Sequence, residues 1–504
     1  MHTVQLLLKP TTYERAEIER RFHAVSHIHN VCVKRMRKQI VLLLKDEEYR
    51  NWRTEYGSLS KIEKPSKAEK ERKKALASDM NTRRTELGLN RSELEKYIKV
   101  CGARYKKLLS SQQVQAEAAN VWKGVEDFLF SNGKQLHFKK FRDFRTIGGK
   151  SNINGICYDT ETRQIQWLGL QMQCYLPKKA SDREYVLQSL DHKISYCMIK
   201  RQMFSNGWRY HIILVLKDDA PQKLEHGFGD MGIDPGVSTM ACTADTGCVL
   251  EELAPETDRY DRQIQEILRK MDRSRRKSNP DKYNPDGTVK KNDHSRWKNS
   301  KNYIRLLRRL QILYRKRSQY ILTSHRTLCN RLIQMADRIR VERMTYKALQ
   351  KRSKKTEHQD KISEVKKKDG SVVMIRKFKK KKRFGRSINR RAPSLFLTEL
   401  ERKITIAGGT YEEVKTETFK ASQYDHSTDE CTKIQLKQRT KVIDGHEVQR
   451  DLYSGFLIKN ADDSLEHPDR EKCKEEFLKF IEMHDELIKD MKRSGVSMKQ
   501  CFGF

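Results

Sequence analysis

Three acidic residues stand where acids are costly. Asp234 interrupts the apolar run "MGIDPGVST", Glu342 closes "IRVERM", and Asp451 opens the apolar part of "VQRDLYSGFLI". Each context reads as a strand or a helix start, and an unpaired carboxylate buried there costs several kcal/mol. Gathering several raises the cost, because like charges repel. Divalent cations remove that penalty. Magnesium, with manganese as a substitute, prefers oxygen ligands, keeps several waters and needs only a few protein carboxylates. Two such ions can activate a water and stabilise the leaving oxygen of a phosphodiester. Pro-Gly directly after Asp234 places it where a strand ends in a tight turn, its carboxylate free to face an ion. Plainer readings exist: a lone strand Asp caps or forms a turn, and a lone Glu after a β-branched run ends a strand at the surface. The combination, in the order Asp, Glu, Asp, points to metal-assisted hydrolysis. The three lie 108 and 109 residues apart, so only a fold that gathers distant segments makes one site of them.

The remaining composition names the partner. The 504 residues carry 105 Lys+Arg against 67 Asp+Glu, a formal charge of +38, which favours a polyanion, nucleic acid above all. A hydrophobic share of 36% suffices for real cores and argues against a wholly disordered chain; the length suggests about two to four domains. Eleven cysteines are scattered without a CxxC pair, which reads as reduced cytosolic thiols and argues against a Cys-based zinc ribbon. The start "MHTVQLLLKPTTYERAEIERR" lacks a signal-peptide layout, and no stretch approaches a membrane span. These features predict a cytoplasmic protein, nucleoid-associated in a bacterium.

The elements that must position the acids follow from patterning. "HTVQLLL" predicts a strand, and helical periodicity runs from about Tyr13 to Phe130. Short strands fill about 134 to 217, with Asn206-Gly207 between two β-rich runs as a hairpin signal. Just upstream, Phe138, Phe141 and Phe144 interleave with Lys139, Lys140, Arg142 and Arg145. That mixture suits base stacking with phosphate contact, or equally a strand whose aromatics are core. Two basic helices, about 257 to 277 (with Arg275 and Arg276) and 295 to 336, flank a turn-rich stretch and predict an antiparallel hairpin. The segment "RKFKKKKRFGRSINRR" holds ten basic residues in sixteen, among them Lys379, Lys380, Lys381, Lys382, Arg383 and Arg386; it predicts phosphate contact or disorder rather than independent folding. The tail from 462 to 500 reads as one or two charged helices.

At the acidic blocks the chain resembles the TnpB family of transposon-encoded RNA-guided nucleases, relatives of compact type V CRISPR effectors. "GIDPGVSTMACTADTG" is similar to the first RuvC block, "IRVERMTYKALQ" to the second and "VQRDLYSGFLI" to the third; "LFLTELERKITIAGGTYEEVKTETFKASQYDH" resembles the helix, strand and Thr-Ser-Gln segment before the third. The resemblance implies an α/β multidomain fold: an RNase H-like RuvC nuclease domain with a basic helical hairpin, and an N-terminal wedge β-barrel carrying a helical recognition insertion. Its boundaries would be a first barrel strand at 1–10, the helical domain at 11–130 and the barrel at 131–225. RuvC parts would follow at 226–256, 337–350 and 449–461, with the hairpin at 257–336, a basic linker or insert at 351–391, a helix and strand at 392–418, a target-nucleic-acid-binding loop at 419–448 and a tail at 462–504. Asp234, Glu342 and Asp451 would bind Mg²⁺ and be catalytic. The partners implied are a guide RNA and a double-stranded DNA target, paired as a heteroduplex. The family's two CxxC pairs are reduced here to Cys431, so no zinc is expected. Gln449 replaces a frequent acid, and Tyr453-Ser454-Gly455 stands where Asn-Ala-Ala is common. Rival readings are an RNase H-like transposase, an RNA-guided repressor without cleavage, and a ribosome-associated or RNA-folding basic protein.

Overall fold

Strand β1 (His2–Leu8) alternates exposed and buried residues, with Val4, Leu6 and Leu8 inward, the period of a half-buried strand. It sits at the centre of a seven-stranded antiparallel sheet, between β7 (Gly207–Leu216) and β5 (Leu170–Tyr175). Beyond β7 lie β6 (Ile194–Phe204) and β2 (Thr146–Gly148); beyond β5 lie β4 (Gln164–Trp167) and β3 (Ile156–Asp159). Strand β3 returns beside β6, so the sheet curls. The β6–β7 turn is Ser205-Asn206, one residue earlier than the sequence suggests, with Gly207 at φ 109° opening the return strand. This first unit of the computed structural model spans Met1–Pro221, and a second spans Gln222–Phe504. The structure describes residues 1–62, 65–131, 133, 135–221, 224–290, 293–350, 358–366, 372–378, 384–433, 435 and 438–496.

Between β1 and β2 runs a helical region. Helix α1 (Thr12–Lys45) begins with a reciprocal capping box between Thr11 and Glu14. It buries Ile18, Phe22, Val25, Cys32, Met36 and Leu43, a stripe at three- and four-residue spacing. Helices α2 (Glu47–Leu59), α3 (Lys67–Glu86), α4 (Arg91–Ala103) and α5 (Ser111–Phe130) complete it, and a buried His29–Glu117 hydrogen bond of 2.6 Å ties α1 to α5. Helix α6 (Ala180–Leu190) links β5 to β6.

The second unit is built on a five-stranded sheet in the order β10-β9-β8-β11-β14, formed by β8 (Asp230–Pro235), β9 (Thr239–Ala244), β10 (Gly247–Glu252), β11 (Arg338–Glu342) and β14 (Thr410–Val414). The first three form an antiparallel meander; β11 and β14 then add parallel to β8. On one face, Met231, Ile233, Ile339 and Val341 pack against the last turns of α8 (Lys301–Ile333) and against α11 (Pro393–Ala407). The other face carries α13 (Arg450–Lys459), which α14 (Arg470–Arg493) covers with Cys473, Phe477, Phe480 and Ile481. The tail, expected as one or two charged helices, is one helix among its described residues, and its apolar stripe belongs to the core. Helix α7 (Thr257–Ser278) precedes α8.

Part of the segment 351–391 is described. Strands β12 (His358–Lys366) and β13 (Val372–Phe378) pair as an antiparallel hairpin, and α10 (Gly385–Arg391) leads into α11. "KISEVK" and "SVVMIRKF" carry β-branched residues at strand spacing, which local pairing exploits despite the charge. Lys379, Lys380, Lys381, Lys382 and Arg383 lie outside the described residues.

The site-bearing face depends on one close approach. A Cβ on Gly232 would overlap the Gly455 carbonyl and the Lys459 amide, while a Cβ on Gly455 would lie 3.2 Å from the Gly232 carbonyl. Helix α13 therefore lies with its backbone directly on β8, further pinned by Thr243 Oγ1 donating to the Leu452 carbonyl at 3.0 Å. Gly232→Ala is expected to destabilise the second unit by about 3 kcal/mol, the upper end for overpacking, in urea unfolding; unchanged stability would mean that α13 does not press on β8.

Candidate active site

Alternation along the strands sends Gly232 and Asp234 to the α13 side of the sheet, since Met231 and Ile233 face the opposite core. Strand β11 pairs in parallel with β8 through Ile233 and Val341, so Glu342, one residue further, is Asp234's lateral neighbour at the strands' C-terminal edge. The turn after Asp234 is closed by Gly236 N–H donating to the Thr239 carbonyl at 3.0 Å. Asp451 arrives in the first turn of α13, where a carboxylate gains from the exposed amides of the helix start. Gln449 caps that helix, its side chain accepting from Leu452 N–H at 2.7 Å, and His484 of α14 accepts the Gln449 backbone N–H at 2.9 Å. Burial keeps His484 below the usual histidine range, against Asp485, and so in the neutral form an acceptor needs.

The three acids feel one another. Asp234 keeps part of its surface open to solvent, but protein crowds it from every other side. Burial first, then the Glu342 and Asp451 carboxylates, push its carboxyl well above the usual carboxylate range, against Arg450 and a hydrogen bond from Ser454. Glu342 is also raised, by burial and by Asp451, with Thr416 and Asp234 beside it working the other way. Tyr346, buried in the short helix α9 (Tyr346–Leu349), walls the pair and donates to the Pro235 and Gly236 carbonyls at 3.3 and 3.2 Å. Burial and the Asp234 charge raise its phenol.

Asp451 is held differently. Arg450 Nε and Nη2 both reach its Oδ1, at 2.9 and 2.7 Å, and Arg439 Nη1 reaches Oδ2 at 3.3 Å. Among the described residues, no three His, Cys, Asp or Glu side chains converge closely enough to enclose a metal ion by themselves. Asp234 and Glu342 form a pair, and Asp451 stands beside them in the grip of two guanidiniums. Sequence reading missed Arg439, Arg450, Tyr346 and Ser454. Only Arg450 carried a signal, its place next to Asp451.

The residues selected for nucleic-acid contact have varied surroundings. Phe144 is buried, and the Phe141 ring stacks on His23 at 3.5 Å with the Arg201 guanidinium 4.3 Å from its centroid. Arg201, fully buried, donates to the Phe144 and Phe141 carbonyls at 2.9 and 2.7 Å and pairs with Glu19. Arg145 lies over Trp208. Phe138 is 51% exposed under Arg37, and Lys139, Lys140 and Arg142 point outward. Arg275 stacks on Trp297 at 3.8 Å; Arg276 pairs with Asp272 and donates to the Gly287 carbonyl. Arg386 is exposed on α10.

The loop between α12 (Thr416–Phe419) and α13 contains two small antiparallel pairs, β15 (Tyr424–Asp425) with β16 (Glu430–Cys431) and β17 (Thr440–Ile443) with β18 (His446–Gln449). Packing secures it. His426 is buried 4.7 Å from the Phe477 ring, its N–H and Nδ1 meet the Tyr453 hydroxyl at 3.1 and 2.8 Å, and Arg470 donates to the His426 and Ser427 carbonyls, both at 3.0 Å. Cys431 is exposed, and no disulfide forms among the described residues. No described helix is long and apolar enough to cross a membrane.

No protein-family profile matches the chain, and no curated protein matches it. Among solved structures it is similar to a cryo-EM Cas12f1–sgRNA–target DNA complex, with TM-score 0.45 and 11% identity over 89% of this chain and 83% of that one. A CRISPR-Cas12f ternary complex aligns with TM-score 0.27 and 12% identity over 89% and 82% of the two chains. A Cas12i–crRNA–dsDNA complex aligns with TM-score 0.24 and 10% identity over 88% and 60%.

Carboxyls raised above their unfolded values favour the fold when protonated. That contribution is complete below the unfolded value and is lost as pH rises through the folded one. In EDTA at neutral pH, Asp234→Asn is therefore expected to melt several degrees above the parent chain, with the gap closing as the pH falls into the ordinary carboxylate range. A parent chain as stable as the variant at neutral pH would show that the pair is not strained.

Proposed function

We propose that the chain is an RNA-guided DNA endonuclease of RuvC type, working by metal-assisted phosphodiester hydrolysis. The observation that carries this reading is the meeting of Asp234 and Glu342 on adjacent parallel strands, with Asp451 from the helix laid across them. The strand order, an antiparallel meander extended by two parallel strands, supports the RNase H-like reading of the sequence blocks. RNA guidance follows from the resemblance to TnpB, and the charge of +38 suits a protein that grips backbones while base pairing reads sequence. The wedge and recognition roles of the first unit are proposed on the same ground.

The donor set fits a hard divalent cation: all-oxygen, with two carboxyls that burial and their neighbours' negative charge hold above the usual carboxylate range. Asp234 and Glu342 would hold Mg²⁺, with Mn²⁺ as a substitute, and Asp451 would complete the set. When bound, the metal supplies an activated water and stabilisation of the leaving oxygen. The chain's own residues prepare for this. Asp234 and Glu342 would serve as ligands in their ionised form, and the Gly232–Gly455 approach seats the helix that carries Asp451 on the strand that carries Asp234. Arg439 and Arg450, which hold Asp451, would be free to take up a phosphate oxygen once a metal ion takes over that carboxylate.

Asp234→Ala or Glu342→Ala is expected to abolish cleavage and leave RNA and target binding nearly intact, because the ligands serve ions and not backbone grip. Loss of RNA binding in either variant would count against the role. The wider test purifies the protein from cells carrying its locus, sequences the co-purified RNA, and presents matching DNA with a randomised flank and magnesium. A discrete RNA and guide-dependent double-strand cuts beside one motif are expected. Binding without cuts would make it a repressor, strand-joined products a transposase, and absence of a discrete RNA would end the RNA-guided reading.

A further inference from the structure

Helices α7 and α8 pack antiparallel through Ile264, Ile267 and Met271 against Leu306, Leu310 and Leu313. Beside this apolar seam runs a groove walled by Lys270, Arg273 and Lys277 from α7 and by Arg305 and Arg309 from α8. The α7 residues are spaced i, i+3, i+7 and the α8 residues i, i+4, so each set lines one face of its helix. All five are exposed, and none makes an ion pair among the described residues. One acid, Glu266, shares the groove.

Other arginines of the same helices are neutralised. Arg276 pairs with Asp272, Arg317 with Asp261, Arg326 with Glu399 and Arg331 with Glu251. Those four guanidiniums are spent on acids, whereas in the groove two rows of unpaired bases face each other across a cleft, which raises the local potential for an anion. Arg275 and Arg276, the pair singled out from the sequence, serve a different purpose. Stacked on Trp297 and bonded to Gly287, they fix the 279–300 lobe at the groove's end.

Packed helices lie about 8–10 Å apart, too close for a duplex to enter between them but open to one strand's backbone. Lys270 to Lys277 covers about 10 Å of helix axis, so the contact is with a chain of phosphates rather than a single one. We propose that this groove binds a single nucleic-acid strand through its phosphodiester backbone, independently of base sequence. The site stands apart from the carboxylates and holds whether or not the strand is ever cut.

The test uses the full chain, freed of co-purified nucleic acid and kept in EDTA so that cleavage plays no part. Fluorescein-labelled single strands of RNA and DNA of one sequence are titrated by anisotropy over a salt series. Lys270→Ala/Arg273→Ala/Lys277→Ala is compared with Lys474→Ala/Lys479→Ala/Lys489→Ala, which removes the same charge from α14. Alanine preserves helix propensity at these exposed positions, and Arg305→Ala/Arg309→Ala reads the opposite wall should the first variant misfold. The groove variants are expected to weaken binding about tenfold or more at low salt, and the triple to flatten the log–log salt slope by about two, since each lost phosphate contact removes about 0.7. Equal losses for RNA and DNA support a backbone site; a loss confined to one supports the site and assigns its strand. Groove variants indistinguishable from the α14 control would overturn the proposal.

Discussion

Like charges held in one depression push the structure apart, and the second unit is arranged to withstand that push. Asp234 and Glu342 are fixed by parallel strands whose pairing is set from Arg338–Asp230 to Val341–Ile233. Asp451 is brought to them by a helix seated so closely on β8 that the strand side requires Gly232 and a Cβ at Gly455 would be crowded. Neighbouring charges then brace the helix's far end. Lys459, nearly fully buried, bonds Asp245 and Glu476 at 2.5 Å each, while Arg340 donates to the Lys459 carbonyl at 2.6 Å. Without these anchors the helix could slide or lift, and the acids would separate to relieve their repulsion. The pair answers the strain with carboxyls raised above the usual range, whereas two guanidiniums neutralise the third acid.

Much of this frame was legible in the sequence because the relevant patterns are local. An aspartate before Pro-Gly at the end of an apolar run ends a strand, and it does so at Pro235. The alternation in β1, the 3.6-residue period of α1 and the two long basic helices needed no knowledge of neighbours. What escaped was set by distance. The turn Ser205-Asn206 is off by one because strand register, not the dipeptide, places Gly207 in the ladder. Phe141 and Phe144 sit among bases that look solvent-facing, but Arg201, some sixty residues on, draws their carbonyls inward. The second row of the α14 core, Phe477 and Phe480, reads as amphipathic noise until α13 is there to receive it.

The division of labour among the bases could not be read from charge counts either. A run of arginines on one helix has the same composition whether its members meet acids, aromatic rings or water. Position on the helix surface and the groups within reach separate them. Arg275 and Arg276 do structural work between Arg273 and Lys277, which face open space. Where acids lie within reach, as at Asp261 or Glu399, the fold uses the guanidinium as a clamp; where none does, the charge stays on the surface as potential.

The departures in the third acidic block make sense on the same terms. Tyr453, Ser454 and Gly455 stand on consecutive positions of α13 and point three ways. Tyr453 is fully buried and offers its hydroxyl to His426, so the loop before the helix is tethered by an aromatic cluster with Phe456, Phe477 and Phe480 and by Arg470. A small residue there would leave a cavity in that cluster and His426 without its partner. Ser454 is fully buried, and its hydroxyl donates to the Arg450 carbonyl one turn back at 3.1 Å. Gly455 removes the side chain that would separate the helix from Gly232 and Thr243. Tyrosine, serine and glycine are therefore coupled choices: the large ring demands a deep seat on the α14 side, and the helix can take that seat only because its opposite side carries no Cβ at the strand.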